Sequence, residues 1–301
     1  MTLPAARAGR LVVVHLFPEL LNLYGDLGNV RVLVRRAQWR GFDVEVRSIG
    51  ANDARAIGDA DIVFIGGGQD KQQIAVAHAL ERLGPSLMET IAEGASLLAV
   101  CGGFQNLGHR YRSDLVGDLR GPGLLDVATW AGSNTSRLVG GVVMRLAQDS
   151  PITALGIASA RAAGHANSAG LLVGFENHSG RTRLSPQARP LGRVVVGGGN
   201  EGRGYEGIIS MPGEGGLAGL RIGTYLHGPV LPRNPHLADF LILSAMKRRG
   251  ITELSPLDDR AEWAAHAAFA AHWLSLRRPA LAPSIVGRIA QRIDNLAGPS
   301  S

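Results

Sequence analysis

Over the first hundred residues, short apolar runs at 11–16, 44–49, 62–65 and 97–100 alternate with longer stretches of helical pattern at 20–40 and 72–93. Strand-length runs separated by helix-length segments predict βαβ units, and therefore a mostly parallel sheet covered by helices on both faces. After Lys71, Ile74, Leu80, Leu83, Leu87 and Ile91 recur at nearly helical spacings. Pro85 predicts a break or kink in that stripe and Gly94 predicts its end.

From residue 121 to 223 the pattern changes. Short β-prone pieces at 137–144, 170–175, 193–196, 207–209 and 221–226, set apart by glycine-rich turns, predict added antiparallel strands and hairpins. Helices return at 236–249 and 258–276, and the proline-bearing tail from 277 is expected to be loosely attached, with a short amphipathic helix at 284–296. The expected layout is an N-terminal tail over 1–10, one α/β domain over 11–250, and a C-terminal helical extension and tail over 251–301. No internal repeat is visible.

A chain of 301 residues with 45% hydrophobic content can bury an ordinary core without disulfides. Its one cysteine, Cys101, has no partner within the chain, which points to no oxidising compartment and makes the thiol a candidate nucleophile. No leader peptide is visible at the amino terminus, and nowhere do about 18 apolar residues run together, so neither a signal peptide nor a membrane span is expected and the chain is placed in the cytoplasm. The net charge of +6 comes from scattered arginines with small clusters at Arg35-Arg36, Lys247-Arg248-Arg249 and Arg277-Arg278. Solvated helix faces account for these clusters; a basic surface near an anionic partner is the alternative, and no nucleic acid is expected.

The chemistry concentrates at glycine turns. The buried-strand sequence 96–100 runs directly into Cys101-Gly102-Gly103-Phe104-Gln105. On a sharp strand-to-helix turn a cysteine would sit at the positive end of the next helix, where its pKa falls and the N–H of Gly102 is offered to an oxyanion. The bland account is a buried structural cysteine before a turn. Gly66-Gly67-Gly68-Gln69 follows the third strand and should share the rim, where an N–H of Gly67 or Gly68 would complete an oxyanion hole. A phosphate loop is the rival reading, without the lysine and hydroxyl that such a loop carries. Among nine histidines, His227 is best placed as base because a strand reading ends there in His227-Gly228-Pro229; His178 is second. Gly197-Gly198-Gly199-Asn200 reads as a hairpin turn.

With these motifs the chain resembles class I glutamine amidotransferases, in the cobyric-acid-synthase-like branch that includes the GatD group. The resemblance rests on Asn22-Leu23-Tyr24-Gly25-Asp26-Leu27-Gly28-Asn29, Gly66-Gly67-Gly68-Gln69-Asp70, Cys101-Gly102-Gly103-Phe104-Gln105, 174–182 and Gly223-Thr224-Tyr225-Leu226-His227-Gly228-Pro229, in the family's order over about 11–250. It implies that Cys101 is the nucleophile and His227 the base. It also implies that Gln105 contacts the substrate and that Arg137 holds the α-carboxylate of L-glutamine, for which a guanidinium is suited. No metal or cofactor is implied in this chain; ATP and Mg are implied on a MurT-like Mur ligase partner that reaches lipid II, the two chains forming a heterodimer. Most relatives have a glutamate two residues past the histidine to orient it, where this chain has Pro229. The role is expected to fall to another group, with Glu176 the local candidate, to a carboxylate of the partner, or to be absent. Two other functions stay open: amidation of a corrinoid side chain, and a noncatalytic subunit that keeps the fold.

Overall fold

The computed structural model describes residues 9–53, 57–132 and 135–276; the tails at 1–8 and 277–301, including the helix expected at 284–296, lie outside the described residues. The chain begins with β1 (Arg10–Leu16), α1 (Leu27–Gln38), β2 (Asp43–Ile49), β3 (Ile62–Ile65), α2 (Asp70–Ala92), β4 (Ser96–Val100) and α3 (Gly102–Asn106). It continues with β5 (Arg110–Ser113), β6 (Gly117–Arg120), β7 (Val127–Ala131), β8 (Leu138–Leu146), α4 (Pro151–Ala162), β9 (Leu171–His178), β10 (Arg181–Leu184) and β11 (Gly192–Val196). β12 (Tyr205–Glu206), β13 (Ile208–Ser210), β14 (Arg221–Thr224), α5 (Pro235–Lys247) and α6 (Arg260–Ser275) complete it.

A six-stranded sheet in the order β13-β14-β4-β3-β1-β2 forms the centre. All its strands are parallel except β13, which pairs antiparallel with β14 at one edge. The inner strands β3 and β4 are buried throughout, because helices cover both faces, and so their sequences are unbroken apolar runs. At the opposite edge, β2 keeps Asp43, Glu45 and Arg47, charges that discourage pairing with another chain. Two four-stranded sheets flank the centre, β10-β7-β5-β6 and β12-β11-β8-β9. In the described residues no helix is long and apolar enough to cross a membrane.

The structure departs from the sequence pattern in several places. The helix expected from residue 20 starts only at Leu27, because the preceding residues form a tight turn in which Tyr24 takes a left-handed φ of 54°. Pro85 lies inside α2 without dividing it. Leu80, Leu83, Leu87 and Ile91 on either side of it are all buried, and that packing outweighs one missing hydrogen bond. α4 falls where only strands were expected: its alanines, glycine and single serine make a faint apolar stripe, with Ile152, Gly156 and Ala160 facing inward.

The segment after 250 is firmly attached as far as α6. Arg36 of α1, buried, pairs with Asp239 of α5 and with Asp259, each at 2.7 Å. Ala270 of α6 packs with Val143, Leu171 and Val173. Trp273 lies flat on β8 where Gly141 leaves room; a Cβ there would sit 2.0 Å from the indole.

Candidate active site

Parallel strands send their carboxyl ends to one rim, and the loops after β1, β3, β4 and β14 meet there. Cys101, directly after β4, has φ 48° and ψ −103°. Only Phe17, Tyr24 and Cys101 among the described non-glycine residues have positive φ, and all three belong to these loops. Such a conformation costs on the order of 1–3 kcal/mol and persists because the surroundings impose it. Here the Cys101 N–H donates to the Thr224 carbonyl (2.8 Å) and Gln105 N–H donates to the Cys101 carbonyl (2.9 Å). Gly103 is required by closeness: its N–H donates to the Gly66 carbonyl (3.0 Å), and a Cβ would stand 2.9 Å from that oxygen. The turn thus has the form of a nucleophile elbow, with the thiol at a helix amino end.

His227 is fully buried and follows β14. Its backbone exchanges two hydrogen bonds with Phe175 of β9, at 2.6 and 3.2 Å, which fixes where the ring emerges. Across the ring from the sheet, Asp26 Oδ1 lies 3.6 Å from His227 Nδ1, an ion-pair distance longer than a hydrogen bond, and both groups are wholly buried. Burial disfavours the imidazolium, yet Cys101 and Asp26 outweigh it and raise His227 from its ordinary value to about 10. Glu206, fully buried in β12, accepts the Tyr225 N–H (2.8 Å) and the Thr224 hydroxyl, holding the backbone that leads to His227. Burial raises Glu206 to about 7.

Glu176 does not serve His227. Its oxygens accept the N–H groups of Gly198 (2.6 Å) and Gly199 (2.8 Å), and its nearest imidazole is His178 at 3.4 Å. A carboxylate in a cradle of glycine N–H groups is a structural anchor, and the Gly197–Gly199 turn is its socket. The acid beside His227 is Asp26 of the same chain, a group that had been given no role, where Glu176, another group or a partner carboxylate was expected. Pro229, in the usual place of the glutamate, packs instead against Gly28.

The glycine loop after β3 needs a second correction. The Gly67 N–H donates to Asp26 Oδ2 at 2.6 Å, so it is committed to holding the acid and not available to an oxyanion. Gly67 also lets Cys101 and His227 close in, since a Cβ would lie 2.4 Å from His227 Cε1 and 3.2 Å from Cys101 Cβ. The Gly68 and Gly102 backbones face one another, the Gly68 nitrogen lying 3.0 Å from where a Gly102 Cβ would be. Of the two alternatives expected in this loop, Gly68 is the one beside Gly102.

A cavity of about 560 Å³ opens over Cys101 and His227, within the range of roughly 300–1,000 Å³ usual for small-molecule sites. Arg137 is at its mouth and hydrogen-bonds Asn177, donating Nε to its side-chain oxygen and Nη2 to its carbonyl (3.4 Å). Gln105 is on the floor but its amide is largely engaged: Gln73 donates to Oε1 (2.9 Å) and Nε2 donates to the Tyr225 hydroxyl (3.1 Å). His178 also lines the cavity, stacked on Tyr225 at 3.6 Å, and burial lowers its pKa. Asp26, Tyr24 and Asn177 were within the motifs already singled out, with no role given to them. The signal that could have found Asp26 is the pairing of Gly28 with the anomalous Pro229.

Comparison with known proteins gives the chain its family. Residues 12–235 match the model of the CobB/CobQ-like glutamine amidotransferase domain. The chain is 34% identical to the lipid II isoglutaminyl synthase (glutamine-hydrolyzing) subunit GatD of Staphylococcus aureus (strain N315), over 84% of this chain and 91% of that one. It is 34% identical to the GatD subunit of Streptococcus pneumoniae (strain ATCC BAA-255 / R6), over 80% and 82%. With the cobyric acid synthase of Pelotomaculum thermopropionicum the identity is 29%, over 69% of this chain but 37% of that one.

Proposed function

Because the chain belongs to the CobB/CobQ-like glutamine amidotransferase family, we propose that it is the glutaminase subunit of a lipid II isoglutaminyl synthase. The observation that carries this reading is the meeting of Cys101, His227 and Asp26 over one cavity, in a chain that is similar to GatD over four fifths of its length or more. The Cys101 thiolate attacks the side-chain amide carbon of L-glutamine, and the resulting oxyanion lies between the Gly68 and Gly102 N–H groups. His227, protonated, gives its proton to the departing nitrogen and ammonia leaves, with the acyl group held as a thioester. The neutral ring then takes a proton from water, which attacks the thioester to release glutamate and restore the thiolate. Asp26 favours the tautomer with Nδ1–H and steadies the imidazolium. Arg137 receives the α-carboxylate at the mouth.

Free ammonia would be protonated in water, so its consumer must be at hand. In this reading a MurT-like Mur ligase subunit, with ATP and Mg, activates the D-glutamate α-carboxylate of the lipid II stem peptide, and ammonia converts it to the amide. The chain would be co-purified with such a ligase and supplied with glutamine, ATP, Mg and lipid II. Glutamine-dependent amidation of lipid II, lost in Cys101→Ala but restored to that variant by added ammonium, is the expected result. Amidation of a corrinoid acid in place of lipid II would redirect the acceptor, and undiminished glutaminase activity in Cys101→Ala would overturn the mechanism.

A further inference from the structure

We infer that Tyr24 is a two-ended positioning residue of this site, its ring restraining His227 and its hydroxyl setting Asn177 and, through it, Arg137. The inference rests on the glutaminase reading above. The Tyr24 ring meets the imidazole edge-on, with centroids 5.1 Å apart at 76°, and meets Phe175 at 6.0 Å and 66°. The Asn177 amide donates to the Tyr24 hydroxyl at 2.5 Å, and the same Asn177 side chain accepts from Arg137. Three directed contacts are thus made by a residue that is 44% exposed and has a left-handed φ of 54°. Core burial does not explain such a residue, and the local strain requires a return elsewhere.

The turn that carries Tyr24 also carries Asp26, so one short segment holds the imidazole from two sides. The Leu23 N–H pins this segment to the Gly67 carbonyl at 3.1 Å, and Gly67 is the residue that closes on His227 Cε1. An anion seated on Arg137 is therefore connected to the imidazole through Asn177 and Tyr24. In this arrangement the ring of Tyr24 serves the thiolate–imidazolium pair and the hydroxyl serves substrate binding.

The two ends separate experimentally in the full-length chain through Tyr24→Phe and Tyr24→Leu. Cys101 is the only thiol, so iodoacetamide alkylation measured across pH reports the ion pair, and protection by L-glutamine reports binding. Tyr24→Phe keeps the ring; its alkylation profile should match the wild type while the glutamine needed for half-protection rises about tenfold. Tyr24→Leu should also move the alkylation profile upward by about one pH unit, because a thiolate with a loosely held imidazolium is less stabilised. Wild-type behaviour of both variants in both assays would overturn the inference, as would an equal pH displacement in Tyr24→Phe and Tyr24→Leu. Absence of glutamine protection in the wild type would sink the glutaminase reading itself, whereas wild-type protection with unmoved variants sinks only the role of Tyr24.

Discussion

Gly28 and Pro229 meet at the carboxyl rim of the central sheet: a Cβ on Gly28 would lie 2.5 Å from Pro229 Cγ. β14, which leads to Pro229, and β1, which leads to Gly28, are separated by β4 and β3. This contact sets the turn bearing Asp26 against the turn bearing His227. Gly28→Ala should push the two apart and lower ammonia release on the order of 10²-fold, since displacements of about 1 Å have that effect. Turnover of purified Gly28→Ala checks it, with a thermal melt to show that the fold is kept.

Asp26→Asn is expected to lower turnover by up to about 10⁴, the scale seen when a triad acid becomes an amide. Glu176→Gln should leave turnover within a few-fold and instead lower stability by roughly 1–3 kcal/mol, because it weakens the bonds from Gly198 and Gly199. Ammonia release and urea unfolding of both variants decide between them. A dead Glu176→Gln beside an active Asp26→Asn would reverse the assignment.

Arg137→Ala should raise KM for glutamine by about ten- to a hundredfold, the loss of a charged hydrogen-bonding partner, with a smaller change in kcat. Steady-state kinetics on the variant tests this. If KM and kcat are both unchanged, Arg137 is an ordinary surface residue.

Glu206 provides a pH dependence of stability. Its folded value of about 7 lies above the ordinary carboxylate value of 4.5, so the folded state binds the proton more tightly. Its contribution is fully present below about 4.5 and is lost as pH rises through about 7. The span corresponds to a loss on the order of 3 kcal/mol. Glu206→Gln keeps the hydrogen-bonding shape without the charge, so it should be more stable than the wild type at pH 8 and gain little at pH 5. Denaturant unfolding at the two pH values measures the difference; an equal gain at both would mean that Glu206 stays ionised throughout.

The central sheet and the elbow were legible because their signals are local. Unbroken apolar runs mark β1, β3 and β4, and the glycines after β4 announce a turn that only a close approach to Gly66 requires. α4 was not legible, since a helix built largely of alanine, glycine and serine has little apolar contrast. β5, β6, β7 and β10 are short, with exposed arginines in β5, β6 and β10 and buried threonines in β7 and β10, which blurs the alternation of strands. Glu176 stood in a recognised motif near a histidine, whereas Asp26 joins His227 only through folding. The choice between Gly67 and Gly68 stayed open for the same reason: which acceptor an N–H finds is decided by a loop distant in sequence.

Asp26 and His227 belong to the two ends of the domain, so the chain cannot assemble its site piecemeal. As it is synthesised from the amino end, β1, β3 and β4 can pair and the elbow can form while the imidazole has yet to be made. Until β14 slots in beside β4, Cys101 lacks both its proton partner and the Thr224 carbonyl that pins its backbone. Reactivity is thereby delayed to the last long-range pairing, and a truncated or partly folded chain carries an unarmed thiol.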